Sequence, residues 1–171
     1  MSLYHVTIPT FTKMLTNLDH WLEAAVASAD QRKFDPEVLL GMRLAPDMFP
    51  LVKQVQGACD AAKFAAAYLA GQTAPSHPDT EQTLPEIRAR IQTCLAYLGT
   101  FSEDQFAGAE ERRVAPAWLK GRWVLGQDYV GEVALPNFMF HLTIAYAILR
   151  HAGVPLGKSD FIGSMSVKDS V

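Results

Sequence analysis

Cysteine is scarce: only Cys59 and Cys94 occur in 171 residues. That excludes a disulfide framework, and no further ligand-spaced cysteine exists to build a structural zinc knot. Each cysteine lies in an apolar helical pattern, which points to two buried thiols rather than a bridge. An excess of one charge is also missing. Fifteen basic and 18 acidic residues leave a net charge of -3, and no stripe of Lys and Arg forms. Nothing therefore favours nucleic acid as a partner. The longest apolar stretch, Val133 to Leu149, is broken by Pro136, Asn137 and His141. It is too short and too mixed to be read as a membrane span. The N-terminus lacks the basic region, apolar run and cleavage site of a signal peptide. A cytoplasmic protein is expected, with no membrane partner. Several motifs are missing too: H-E-x-x-H, a glycine-rich phosphate loop, G-x-S-x-G and the E-x-x-H pair of di-iron bundles.

Apolar residues make up 49% of the chain and charged residues 19%. This is the composition of a globular protein, and residues 1–171 are enough for one domain with a real core. Most of the chain repeats apolar residues at intervals of three and four, the signature of amphipathic helices. Helix one is predicted over Ile8 to Ala29, with Thr7 as cap and Pro9 in its first turn. A short turn follows Asp35 and Pro36. A stiff linker runs from Arg43 to Pro50. Helix two is predicted over Phe49 to Leu69, and its many alanines suit close helix packing. Helix three is predicted over Leu84 to Tyr97, opened by a Thr83/Glu86 capping box. Residues Ala107 to Leu125 read as a hairpin-like excursion turning at Lys120-Gly121-Arg122, with Trp118 and Trp123 pinning it to the bundle. Helix four is predicted over Gln127 to His151, bent at Pro136. In the tail, Phe161 and Ile162 are expected to pack back and the last residues to be flexible. The fold class is all-α: a four-helix bundle with a small hairpin before the last helix.

The polar residues inside helix four are the most informative. Asn137 and His141 lie four apart, so they share one face one turn from each other. Each has a structural explanation: a satisfied core histidine, and an amide bonding backbone groups freed by Pro136. On helix two, Gln56, Asp60 and Lys63 align on one side. The pattern alone makes this side a solvated face, with Asp60 and Lys63 an ordinary surface ion pair. His77, between prolines in a loop, is expected to be exposed.

The segment Phe140-His141-Leu142-Thr143-Ile144-Ala145-Tyr146-Ala147-Ile148-Leu149-Arg150-His151-Ala152-Gly153 resembles the last helix of the DinB and YfiT-like proteins. Arg43 to Pro50, Leu135-Pro136-Asn137-Phe138 and Gly153 to Phe161 resemble one uncharacterised, mainly bacterial family of that superfamily, DUF1993. The resemblance covers nearly the whole chain. It implies a DinB-like four-helix bundle, often a homodimer, and a site where relatives hold a divalent metal with three histidines. Carried onto this chain, the helix-four pair falls on Asn137 and His141. The helix-two position falls near Gln56, with Asp60 one turn on. Only one of the three implied ligands is a histidine here. Zinc favours imidazole, thiolate or carboxylate, so this set would bind zinc, nickel or manganese weakly. Two readings follow. One is a divalent-metal-dependent hydrolase or thiol-dependent transferase, with His141 as ligand, Asp60 as ligand or base, and the amides orienting substrate. The other, which the replaced ligands favour, is a degraded metal site that binds a small molecule or serves only structure.

Overall fold

The computed structural model describes residues 2–168. Helix α1 spans Leu3–Arg32. It starts five residues before the expected Ile8, because the Ser2 hydroxyl, not Thr7, takes up the Tyr4 N–H. Thr7 is instead buried inside the helix, its hydroxyl donating to the Leu3 carbonyl at 2.6 Å. Pro9 accordingly sits within the helix, at the cost of one backbone bond. Lys33 closes the helix in the left-handed conformation, with φ 57°.

A 3-10 turn, Pro36–Gly41, is capped by Asp35. Helix α2 covers Leu51–Leu69 and α3 covers Leu84–Leu98 behind the expected Thr83/Glu86 capping box. Helix α4 covers Gly126–His151, and a short α5, Lys158–Ile162, closes the chain. By length and composition α4 could cross a membrane. Here it is packed instead as the fourth member of the bundle, with Phe138, Leu142, Ala145 and Leu149 sealed in the core. Helix α2 touches all three other long helices and shares its most extensive contact with α4, while α3 and α4 occupy opposite corners. The alanines of α2, such as Ala58, Ala62, Ala65 and Ala66, are fully buried, and their small side chains let the neighbours approach.

Pro136 follows an irregular turn of α4. The turn before it, Val130–Ala134, widens to a π-helix in which the Leu135 N–H bonds to the Val130 carbonyl. One extra residue in that turn accommodates a proline that has no N–H to give and whose ring would crowd the preceding turn.

The excursion is a hairpin, though a minimal one. Strand β1, Arg113–Val114, pairs antiparallel with β2, Val124–Leu125. The turn holds Lys120 and Gly121 at positive φ, 51° and 84°. The tryptophans do not pin it: Trp118 is 59% exposed and Trp123 47%. Arg113 stacks on Trp123, its guanidinium 4.4 Å from the ring centre. The anchoring comes from buried Phe106, Ala109 and Val114 and from Arg112, which donates to the Leu69 carbonyl at the end of α2. An arginine at a helix C-terminus serves both the orphan carbonyl and the dipole.

Phe161 packs back as expected, stacking on Trp21 with ring centres 5.3 Å apart, while Ile162 stays 40% exposed. The Trp21 indole N–H and the Asn17 amide hold the carbonyls of Asp160 and Phe161 at 2.9 and 3.0 Å. The flexibility expected of the last residues concerns in part 169–171, which lie outside the described residues. Cys59 and Cys94 are buried free thiols, the Cys94 Sγ–H donating to the Cys59 carbonyl at 3.3 Å.

Candidate functional site

Asn137 and His141 sit just beyond the π turn, on the side of α4 that meets α2. His141 is half-buried. Its Nδ1 lies 2.9 Å from the Gln54 Oε1, and Gln54 is itself 1% exposed. The Gln54 amide is oriented by its other end, whose Nε2 donates to the Phe49 carbonyl at 3.1 Å. With the amide nitrogen committed there, the oxygen must face the ring, so Nδ1 carries the proton and Nε2 the lone pair. Among the described residues Nε2 has no hydrogen-bond partner, and it is not among the sealed polar atoms. Burial pushes the His141 pKa below the ordinary histidine value, and the negative charge of Asp60 offsets this only in part. The ring is therefore neutral at neutral pH, offering one oriented acceptor.

Space for the ring comes from Gly57. A Cβ at that position would stand 2.6 Å from Cε1 and 2.7 Å from Nε2 of His141. Glycine inside a helix costs about 1 kcal/mol relative to alanine, and the imidazole seated against it supplies the reason. Sequence reasoning missed both Gly57 and Gln54 as parts of the site. The signal for Gly57 was an isolated glycine in an otherwise alanine-rich helix, which often marks a close approach. Gln54 carried no such signal.

Asp60, Asn137 and His141 meet along one cleft of about 490 Å³ between α2, α4 and the hairpin. Its walls are aromatic: Phe64 and Tyr68 from α2, Tyr129 from α4, Trp118 from the hairpin. Asn137 is exposed and has no side-chain partner among the described residues.

Gln56 is not part of that cleft. It lies about 200° around α2 from Gln54 and opens on a separate groove with Lys53, Asp79 and Glu81. The expected solvated face is in fact enclosed: Gln56 is 3% exposed and Lys63 2%. The loop before α3 folds back over this side of α2, and α3 brings in Arg90, which is 5% exposed. The Arg90 guanidinium reaches Asp60 at 2.9 Å, Glu81 at 3.0 Å and Asp79 at 3.3 Å. Lys63 reaches the same Asp60 oxygen at 2.8 Å, and Gln56 donates to Glu81 at 2.7 Å. His77, expected to be exposed, is half-buried with its Nδ1 sealed. Burial lowers its pKa, and the charges of Lys63 and Arg90 add to the effect.

This arrangement bears on a metal ion. The two ligand positions on α2 and α4 are turned apart, and the only anionic candidate, Asp60, already holds two cations. Among the described residues no three His, Cys, Asp or Glu side chains converge to hold an ion. One imidazole nitrogen and one amide are a poor donor set for zinc. The residues present do not fit the three-histidine metal of DinB relatives.

The bundle order, the hairpin before α4 and the notch in that helix define a DinB-type helical bundle. The solved structure of a DinB family member protein from Shewanella denitrificans is similar over 98% of this chain and 96% of its own, with 46% identity and a TM-score of 0.95. No curated protein matches. The family described as a domain of unknown function, DUF1993, matches residues 3–162, and the chain belongs to it.

Three outcomes follow from the geometry. Gly57→Ala destabilises by about 1–3 kcal/mol, because crowding of the ring and loss of its bond to buried Gln54 outweigh the helix gain. It displaces the ring from Gln54, and the His141 pKa, followed by NMR, rises toward the ordinary value. His141 and His77 both titrate below their unfolded value, so the unfolded chain binds their protons first. Stability from this source is complete above about pH 6.5 and declines as pH falls through it. Melting temperatures between neutrality and mild acid should drop, with a shallower slope in His141→Gln. Arg90→Ala leaves Asp60 to Lys63 and Glu81 to Gln56 alone and costs about 1–3 kcal/mol in urea unfolding; Arg90→Lys recovers little of that, lacking the planar fork.

Proposed function

We propose that this protein binds a small molecule in the cleft between α2 and α4 without the help of a metal ion. The observation that carries the reading is the His141 imidazole, held neutral and in one tautomer by Gln54, with its free Nε2 beside the cleft. An unpaired and oriented acceptor next to an exposed amide, at the foot of an aromatic wall, matches what small-molecule sites use to fix orientation.

The Arg90 network takes the structural role. It joins α3 and the preceding loop to α2, and it neutralises Asp60 with fixed cations where a metal-dependent site would leave the carboxylate for the ion. A hydrolase or transferase mechanism that needs a metal-bound water finds no ligand set among the described residues to lower that water's pKa.

Metal analysis tests this directly. Protein purified without a histidine tag should carry zinc, nickel and manganese at background level, before and after dialysis against each. Near-stoichiometric metal that disappears in His141→Ala would sink the metal-independent reading and restore the metal-dependent enzyme.

A further inference from the structure

The chemistry of the cleft also constrains what it accepts, granted that it is a ligand site. Its walls present four aromatic side chains, and two are markedly uncovered: Trp118 is 59% exposed and Phe64 38%. Rings that stand in solvent on two sides of a cleft favour a flat apolar body between them. A volume of about 490 Å³ lies within the range of small-ligand pockets.

The polar end is selective in a different way. Nε2 of His141 accepts and cannot donate, because the proton is fixed on Nδ1 by Gln54. Asn137 adds an amide that both donates and accepts. A ligand that brings only acceptors would leave Nε2 facing another lone pair.

Charge supplies the third constraint. Among the described residues, the one ionised group lining the cleft is the Asp60 carboxylate, which disfavours an anion. It does not call for a cation either, since Lys63 and Arg90 hold one of its oxygens at 2.8 and 2.9 Å. Phe64 cannot offer both faces to a bound cation, because the Lys63 ammonium already lies 4.5 Å from its ring centre. Burial holds the Tyr129 hydroxyl un-ionised, so no second negative group forms on the wall.

We infer that the cleft takes a neutral aromatic molecule bearing a hydroxyl or N–H group, with that donor on His141 Nε2 and the ring between Trp118 and Phe64. Four probes share one ring and differ in the relevant property: phenol, toluene, benzoate and benzylammonium. Each is titrated into the full-length protein while tryptophan emission and the imidazole nitrogen resonances are followed. Phenol should give a saturable change in both signals, with the His141 Nε2 resonance moving as an acceptor's does. Toluene and benzoate should bind roughly tenfold more weakly, the size of a hydrogen bond lost from a site built for it. Benzylammonium should not exceed phenol. Gln54→Leu should release the tautomer and weaken phenol more than toluene. Trp118→Ala, at an exposed position, should weaken both. Toluene or benzoate binding as tightly as phenol overturns the donor assignment and leaves the cleft as a ligand site. Benzylammonium binding more tightly than phenol overturns its neutrality. No saturable change with any of the four overturns the ligand-site reading itself.

Discussion

Helix α2 is enclosed by the three other long helices, yet it carries Gln54, Gln56, Asp60 and Lys63 among its alanines. A buried polar group left unsatisfied costs about 1–3 kcal/mol, more when charged. Each of these side chains therefore has to find its partner on the element it faces. Gln54 finds His141 on α4. Asp60 finds Arg90 on α3, and Gln56 finds Glu81 in the loop before it. These pairings set how α3 and α4 sit against α2, because a slip along any of them would strand an amide or a charge in the core.

The two sides of α2 differ in how completely this is done. Toward α3, cations and carboxylates share oxygens and the charges are mutually neutralised. Two atoms of that network, Gln56 Oε1 and Arg90 Nε, are nevertheless sealed and unbonded among the described residues. Toward α4, Nδ1 of His141 is bonded, and Nε2 is neither bonded nor sealed. That side of α2 is the open one. The glycine at 57 and the π turn before Pro136 both serve the open side, one by making room for the ring and the other by letting the helix carry a proline just ahead of the notch. Each departs from regular helix.

Much of the scaffold was legible beforehand. Periodicity placed the long helices, the Thr83/Glu86 pair placed the start of α3, and the loss of helical pattern located the hairpin. The misses have specific causes. Helix α1 is capped by Ser2 rather than Thr7, and Pro9 is tolerated nearly two turns deeper than its usual place. The tryptophans of the hairpin stay largely exposed, and Arg112 with buried Phe106, Ala109 and Val114 fastens it instead. The side of α2 bearing Gln56 and Lys63 was read as solvated because nothing local records that a distant loop folds over it.

From sequence alone came the bundle, the notch of Asn137 and His141 in an apolar helix, and the replacement of histidines at the positions where relatives hold a metal. The bundle and the notch follow from local spacing, which fixes which residues share a helical face; the replaced histidines are what the resemblance to DinB proteins implies. Only the tertiary structure decided which of the polar residues meet. Gln56 and His141 sit on different sides of α2, and Asp60 is claimed by Arg90, thirty residues away in the chain. The His141 tautomer is set by an amide 87 positions distant. Helical periodicity orders residues around one axis, whereas the partner of each face depends on how the axes are arranged. No pattern within a single helix encodes that.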